Sequence, residues 1–172
     1  MSKLFGGHQT LILQSVIYGP ERDLPCPMCT HLLDSVNGAA SHVSQRAALY
    51  VIAKSPIVRF VAWARAHGWA HLDFLSTAGN SYDADYFGDT SKLPGPIRRA
   101  WEVTEGEVRD ETMFNVFRLD NGTVRHFWGS ELTWAPRESG QHHRSGDAAN
   151  ALWGLLDMTP EGRGEFIPKL VY

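Results

Sequence analysis

The sequence has no apolar run long enough to cross a bilayer and no large excess of charge of either sign. A spanning helix needs about 20 consecutive apolar residues, whereas the run Leu11–Ile17 is interrupted by Gln14 and Ser15 and is followed by no small-residue cleavage site. The formal net charge is −3 and the pI is near 6.2, which gives no general attraction to nucleic acid or to anionic lipid. We therefore expect no membrane segment, no signal peptide and no nucleic-acid partner.

Glycine-rich nucleotide motifs are also absent, and cysteine is scarce. Neither G-x-G-x-x-G nor G-x-x-x-x-G-K-S/T occurs, so nothing in the sequence calls for a nucleotide, a flavin or another organic cofactor. The 172 residues include two cysteines, Cys26 and Cys29, which are separated by two residues. Without an export signal the cytoplasm is the expected location. A close cysteine pair there is typically catalytic, redox-sensing or metal-binding rather than a structural disulfide.

The segments around the cysteine pair indicate a redox site. Upstream, Thr10–Tyr18 is almost continuously apolar and β-branched, which predicts a strand buried on both faces. Downstream, apolar residues recur at helical spacing, so a helix should begin near Pro27. The cysteines would then lie at a helix N-terminus, where unpaired N–H groups and the helix dipole lower the pKa of a thiol. A C-x-x-C pair in that position, beside a βαβ pattern, is typical of thioredoxin-like redox proteins.

The whole pattern predicts one α/β domain, residues 1–172. Ala47–Ala53 should form a second buried strand, parallel to the first, and Ser55 should cap a helix that Pro56 begins and Gly68 ends. We also expect a break in the cysteine helix at Asn37-Gly38 and a short strand at His71–Ser76. Thr77–Glu111 should form a packed loop or insertion that contains a short helix at Pro96–Trp101. The rest of the chain should form a hairpin of Met113–Leu119 and Thr123–Trp128, a loop at Pro136–Gly146, and a last helix begun by Ser145 or Asp147. This is the element order of the thioredoxin fold, in which helices cover both faces of a central mixed sheet.

Several segments also resemble a known family. They are PCPMCTHLLDSVNGAASHVSQR, AKSP, LSTAGNSYDADY, NVFRLDNGTVRHFWGSEL and ALWGLLDMTPEGRGEFIPKLVY. Through them the chain is similar, over nearly its whole length, to the thioredoxin-like family catalogued as domain of unknown function 899. It resembles a short form that lacks the N-terminal helical region of other members. The resemblance implies a thioredoxin-like fold and a redox role, and it supplies no substrate.

By similarity to thioredoxin, Cys26 is the expected nucleophile and Cys29 the residue that resolves a mixed disulfide, which the two-residue spacing allows. The substrate groove is expected at Pro27 and Met28, between the cysteines, and at Thr112. Thr112 stands where thioredoxin-like proteins usually place a cis-proline that shapes the groove and keeps metal away, so it is the main departure from the pattern. The expected partners are protein or small-molecule thiols and disulfides. A homodimer is expected because dimers are the commonest assembly of soluble proteins.

A peroxidase is the competing enzyme class, with peroxides as substrates. Peroxiredoxins resemble T-P-x-C-T at this point, and C-P-M-C-T matches that pattern with Cys26 in place of the threonine and Cys29 as the peroxide-attacking thiolate. The acidic, aromatic segment that ends in Tyr86-Phe87-Gly88 also resembles a peroxiredoxin insertion. The missing threonine counts against efficient peroxide reduction, because its hydroxyl would orient the peroxide.

The competing non-enzymatic class is a binding or scaffold domain whose cysteines are buried small hydrophobes or metal ligands. A metal site would use Cys26, Cys29 and either His31 or His42, with His142-His143 as distant ligands. The sequence has no second cysteine pair, and His31 should point away from Cys29 on a helix. A bound metal is therefore not expected.

Two further groups of residues are expected to have ordinary structural roles. Asp83, Asp85 and Asp89 resemble a carboxylate cluster for a divalent ion, but a charged loop of this kind is usually solvated. The six tryptophans fall on predicted elements rather than clustering in sequence. That distribution favours the core over a substrate groove for most of them.

Overall fold

The computed structural model of the chain describes residues 1–130, 149–162 and 164–169. In these residues the strands are β1 Thr10–Ser15, β2 Ala48–Ala53, β3 Asp73–Ser76, β4 Met113–Asp120 and β5 Thr123–Gly129. The helices are α1 Pro27–Val43, α2 Ile57–Ala66, α3 Tyr82–Asp85, α4 Gly95–Ala100 and α5 Ala151–Asp157, preceded by a 3-10 helix at Ser2–Phe5. None of the described helices is both long and apolar enough to span a membrane.

The five strands form one mixed sheet in the order β3-β2-β1-β4-β5. β1, β2 and β3 run parallel to one another. β4 runs antiparallel to β1, with Ser15 opposite Met113, and β5 runs antiparallel to β4. The predicted α/β class, with a central mixed sheet flanked by helices, is confirmed, and the arrangement is compatible with a thioredoxin-like fold.

Alternation of side chains along β1 divides the core between the two faces of the sheet. On one face Val16 belongs to a buried cluster with Leu33 of α1 and Phe60 of α2. On the other face Leu13 lies in a second cluster with Phe5 and Phe117. The first cluster therefore anchors the helix that carries the cysteines. Of the described tryptophans, Trp63, Trp69 and Trp153 are buried, Trp101 is partly exposed and Trp128 is exposed, while Trp134 lies outside the described residues.

The hairpin between β4 and β5 forms as predicted. Asn121 and Gly122 have φ of 49° and 81°, the pair of positive values that a two-residue type I′ turn requires. Gly68 likewise follows the end of α2 with φ of 70°, in the left-handed conformation that ends many helices. These turns could be predicted because they are determined by one or two adjacent residues.

The predicted break in the cysteine helix is wrong. α1 runs without interruption through Asn37 and Gly38. Val36 and Ala40, on either side of this dipeptide, are buried in the core, and the Asn37 side chain accepts a hydrogen bond from the His71 amide at 3.1 Å. Packing and this bond outweigh the cost of a helical glycine, about 1 kcal/mol.

Two predicted helix starts are also wrong. Pro56, not Ser55, occupies the N-cap of α2, and no side chain caps that helix. α5 begins at Ala151 after Asn150, whose side chain accepts from the Leu152 amide at 3.2 Å. The predicted starts Ser145 and Asp147 and the predicted loop Pro136–Gly146 lie outside the described residues.

Residues 77–111 form a packed insertion that follows β3, as the sequence predicts. α4 lies close to the short helix predicted there. An isolated bridge joins Asp89, inside the insertion, to Asp110 near its C-terminal end, and the Thr90 amide donates to the Arg109 carbonyl at 3.0 Å. The likeness of this segment to a peroxiredoxin insertion stays a prediction.

Candidate functional site

Both cysteines are attached to the main chain of Ile17, two residues beyond the end of β1. The Cys26 amide donates to the Ile17 carbonyl at 3.1 Å, and the Ile17 amide donates to the Cys29 sulfur at 3.4 Å. The Cys26 carbonyl accepts from the Thr30 amide at 3.0 Å, which is the first turn of α1. The two free thiols therefore lie at the N-terminus of α1, as the sequence predicts.

Cys26 has the surroundings of a reactive thiol and is partly exposed. Its pKa is lowered from 9.0 to about 6, above all by a hydrogen bond with the Cys29 thiol. The backbone amides of Cys29 and Met28 and the positive charge of Arg22 add to this effect, while partial burial opposes it. Cys26 is therefore mostly thiolate at neutral pH.

Cys29 has the opposite properties, with a side chain that is only 2% exposed. The hydrogen bond with Cys26, desolvation and the negative charge of the Cys26 thiolate raise the pKa of Cys29 well above 9.0. The Ile17 amide and the Thr112 hydroxyl offset part of this rise. The pair is thus divided into an accessible thiolate and a protected thiol, because the two groups share one negative charge.

The three predicted groove residues all border the cysteine pair. Pro27 is the first residue of α1, and both Pro27 and Met28 are partly exposed. Thr112 immediately precedes β4, where its hydroxyl donates to the Ser15 carbonyl at 2.8 Å and also lies against the Cys29 sulfur. The structure therefore brings all five predicted site residues to one place.

The loop before the cysteines is held by Arg59 of α2, which the sequence did not predict. Its guanidinium lies 4.1 Å from the centre of the Tyr18 ring, and its Nε donates to the Tyr18 hydroxyl at 2.9 Å. The same side chain donates to the carbonyls of Arg22 and Asp23. Arg59 thus fixes the segment from which Arg22 acts on Cys26. No local pattern marks this role, because a lone arginine on a helix usually faces solvent.

A second group that the sequence did not predict surrounds Lys54, directly after β2. The Lys54 ammonium contacts the Asp89 carboxylate and lies 3.8 Å from Asp110 Oδ1. Asp89 is 3% exposed and Asp83 is 2% exposed, so the prediction of a solvated acidic loop is wrong for both. It is right for Asp85, which is exposed.

Burial and pairing give these carboxyls different pKa values. Desolvation raises the pKa of Asp83 and of Asp110. Asp89 is also desolvated, but hydrogen bonds from Lys54 and Ser91 outweigh its burial and lower its pKa. Lys54 has a raised pKa in spite of its own desolvation, because the carboxylates favour its charged form. A charged Lys54–Asp89 pair therefore stands at the base of the insertion.

This group reaches the cysteine loop through Gly19. The Asp110 carboxylate accepts a hydrogen bond from the Gly19 amide. A Cβ atom at Gly19 would overlap that carboxylate. The absence of a side chain at this position therefore lets the insertion approach the segment that leads to Cys26.

Replacing Gly19 by alanine is expected to destabilise the protein by roughly 1–3 kcal/mol, because the new methyl group must displace the Asp110 carboxylate from its present position. Gly38→Ala is the matched control. Gly38 lies inside α1, and a Cβ there meets no atom within 4 Å, so that variant should be more stable by up to about 1 kcal/mol. Urea unfolding followed by tryptophan fluorescence measures both changes. A Gly19→Ala variant as stable as the wild type would contradict the crowding seen at this position.

The histidines considered as metal ligands lie away from the cysteines or outside the described residues. His31 is buried against α5, with its ring centre 5.0 Å from that of Trp153 and its Nδ1 3.2 Å from the Asn150 amide nitrogen. His42 is exposed, and His142-His143 falls in the part of the chain that is not described. Within residues 1–130, 149–162 and 164–169, no three His, Cys, Asp or Glu side chains are grouped so as to hold a metal ion.

One family of known proteins matches the chain over nearly its whole length. The family model described as "Bacterial protein of unknown function (DUF899)" matches residues 1–171. No curated protein matches the sequence. The cysteine pair, the insertion and the β4–β5 hairpin all lie within the region that the family model matches.

Proposed function

Because the chain belongs to the DUF899 family, whose description states no activity, we propose a function from the site itself: the protein is a thiol–disulfide oxidoreductase that acts through Cys26 and Cys29. One observation carries the proposal. A partly exposed Cys26 thiol with a pKa of about 6 stands beside a buried Cys29 thiol with a raised pKa. Disulfide exchange begins with an ionised nucleophile, and a protected second thiol can then resolve the mixed disulfide.

In the proposed reaction the Cys26 thiolate attacks one sulfur of a substrate disulfide. A bond forms between Cys26 and that sulfur, the substrate S–S bond breaks, and the other sulfur leaves with the electron pair and gains a proton. Cys29 then loses its proton and attacks the Cys26 sulfur, which releases the second substrate thiol. Two electrons have passed from the cysteines to the substrate, and the protein is left with a Cys26–Cys29 disulfide. The reverse sequence oxidises a dithiol.

The surroundings of Cys26 support protein or small-molecule disulfides as substrates. Pro27 and Met28 follow Cys26 directly and Thr112 lies against the Cys29 sulfur, and all three are partly exposed, so a substrate chain can contact them during attack. We propose the cytoplasm as the compartment, since a close cysteine pair that works as thiols suits a reducing environment. Homodimer formation stays a prediction.

The peroxidase alternative needs Cys29 as the attacking thiolate. Burial of the Cys29 side chain and its raised pKa both oppose attack by Cys29. Cys26 is partly exposed and has a lowered pKa, so it is the better nucleophile of the two. This contrast supports disulfide exchange over peroxide reduction. Peroxide consumption by the wild type that is lost in Cys29→Ser but kept in Cys26→Ser would instead favour the peroxidase.

The wild-type protein is expected to show a reversible dithiol–disulfide couple between about −270 and −120 mV, the span of known dithiol oxidoreductases. The measurement equilibrates the protein in glutathione buffers of defined ratio, traps free thiols by alkylation and counts them by mass. Cys29→Ser should form only a mixed disulfide with glutathione at Cys26, which identifies the nucleophile. If the wild type forms no intramolecular disulfide at any ratio, the proposal fails.

A further inference from the structure

The β4–β5 hairpin presents two large aromatic side chains to solvent. Phe127 is 76% exposed, and its neighbour Trp128 is also exposed. The register of the two strands shifts between Val116 and Phe117, which leaves Phe127 without a residue opposite it. Phe127 is therefore the extra residue of a β-bulge, a feature that re-aims a side chain. Because β5 is the last strand in the order of the described sheet, and edge strands are usually protected by charged side chains, this surface indicates a contact with another molecule.

A groove of about 440 Å³ lies beside Phe127 on the sheet. It crosses three strands, from Thr10 of β1 over Val116 of β4 to Phe127 of β5. All the residues that line the groove belong to these strands, so no helix of the described chain covers it. Its volume is typical of a binding pocket, and an occupant from outside the chain can therefore reach the sheet here.

Two arginines give the groove a positive charge. Arg118 and Arg125 both line it, and they lie directly opposite each other on β4 and β5. Arg118 is paired with Asp120 at 3.1 Å and donates to the Gln9 side chain at 2.7 Å. Arg125 forms no ion pair with a carboxylate of the described residues. Like charges directly opposite each other are unfavourable, so an occupant that brings carboxylates as well as apolar side chains fits the groove.

The C-terminal part of the same chain has the complementary character. Met158, at the end of α5, is 76% exposed, and Leu155 and Ile167 are exposed as well. Glu161 and Glu165, which lie between them in sequence, are also exposed, and neither forms an ion pair with a described residue. We call these five residues the C-terminal surface. It combines apolar side chains with negative charge.

The charges of the two regions are opposite. Residues 116–128 contain two arginines and one aspartate, a net charge of +1, whereas residues 155–167 contain three acidic residues and one arginine, a net charge of −2. None of the described C-terminal residues lines the groove of its own chain. We propose that the C-terminal surface of one copy of this chain binds the groove of a second copy. In a two-fold dimer each copy then supplies one groove and one C-terminal surface.

The bulge and the position of the groove define the form of this contact. A bulge at Phe127 opposes the addition of another strand along β5, so the partner binds on the groove rather than extending the sheet. Thr10, which lines the groove, begins β1, whereas the cysteines bind Ile17 beyond the other end of that strand. No cysteine belongs to either surface, and the dimer therefore does not depend on the proposed thiol chemistry.

The first test measures the mass of the full-length protein by sedimentation over a range of protein concentrations. The wild type should reach twice the chain mass of 19.2 kDa and no more. Arg125→Glu should raise the dissociation constant of the dimer about a hundredfold, because like charges across an interface repel. Arg65→Glu is the matched control, since it makes the same charge change at an exposed arginine of α2, and it should leave the dissociation constant unchanged.

A charge swap tests the two surfaces together. The double variant Glu161→Arg, Glu165→Arg should also be mostly monomeric, because its C-terminal surface is repelled by Arg125. Mixed with Arg125→Glu, it should form a heterodimer, because both contacts then join opposite charges again. Native mass spectrometry distinguishes this heterodimer from either homodimer by mass. Absence of the heterodimer would overturn the pairing of these surfaces.

Phe127→Ser supplies a variant that keeps all charges and changes an exposed side chain that the fold does not need. It should weaken the dimer as well, because Phe127 contributes apolar contact in the groove. A wild type that stays monomeric at every concentration, or a dimer that neither Arg125→Glu nor Phe127→Ser weakens, would refute the proposal. Failure of the proposed function is distinct, since Cys26→Ser should dimerise like the wild type.

Discussion

Replacing Cys29 by alanine is expected to move the midpoint of Cys26 alkylation from about pH 6 toward pH 9.0. The hydrogen bond with Cys29 is the largest effect that lowers the pKa of Cys26, so its loss leaves the helix amides and Arg22 to oppose burial. Iodoacetamide reacts with the thiolate, and the rate therefore follows the ionised fraction. Rates measured on both sides of these two pH values give the midpoint for the wild type and the variant.

Cys29→Ser is the matched control for this experiment, because a serine hydroxyl can still donate to Cys26. Its midpoint should lie between those of the wild type and Cys29→Ala. An alanine variant that keeps the wild-type midpoint would mean that the helix N-terminus and Arg22 lower the pKa without help from Cys29.

The low pKa of Cys26 also makes the stability of the reduced protein depend on pH. Its folded-state pKa is about 6 and its unperturbed value is 9.0, so the folded state binds fewer protons between these values. The stabilisation from Cys26 ionisation is therefore complete above about pH 9 and is lost as the pH falls through about 6. Cys29→Ala should weaken this dependence, which denaturant unfolding at several pH values measures.

Replacing Lys54 by methionine is expected to destabilise the fold by roughly 3 kcal/mol, the low end of the range for breaking a buried ion pair, because Lys54 itself is partly exposed. Asp89 is only 3% exposed and relies on the Lys54 ammonium, which also lies 3.8 Å from Asp110 Oδ1. Without that ammonium Asp89 must stay charged without a counter-ion or take up a proton, and both cost free energy. Guanidinium unfolding near neutral pH measures the loss.

Two further variants show whether the buried charge is the cause. Asp89→Asn added to Lys54→Met should recover much of the lost stability, because the buried carboxylate that contacts the Lys54 ammonium directly is then also removed. Lys92→Met removes the partner of the exposed Asp85, and it should change the unfolding midpoint little, because exposed pairs contribute little. A Lys54→Met protein with the stability of the wild type would refute the structural role of the pair.

The position of the cysteine pair could be predicted because it depends on neighbours in the sequence. The apolar run Thr10–Tyr18 contains β1, and Pro27 begins α1 because proline is suited to a first helical position. These two inferences use periodicity and capping, which act over a few residues. The expectation that Thr112 borders the pair came instead from the resemblance to thioredoxin-like proteins, in which the residue before this strand faces the cysteines.

The residues that surround the pair could not be predicted, because their partners are distant along the chain. Arg59 contacts Tyr18, 41 residues away in sequence, and an arginine on a helix looks the same whether it faces water or a loop. Asp83 and Asp89 were expected in solvent for the same reason. The sequence of this segment predicts a solvated loop, because it does not show that Asp89 contacts Lys54 at the end of β2.

The attachment of both cysteines to the main chain of Ile17 has a consequence for which substitutions the site can accept. The carbonyl and the amide of Ile17 are common to nearly all amino acids, so any apolar residue that fits the space can replace the isoleucine. Proline alone among them lacks the N–H that reaches Cys29. A change of side chain at position 17 can therefore leave both hydrogen bonds, and with them the placement of the cysteine segment against the sheet, in place.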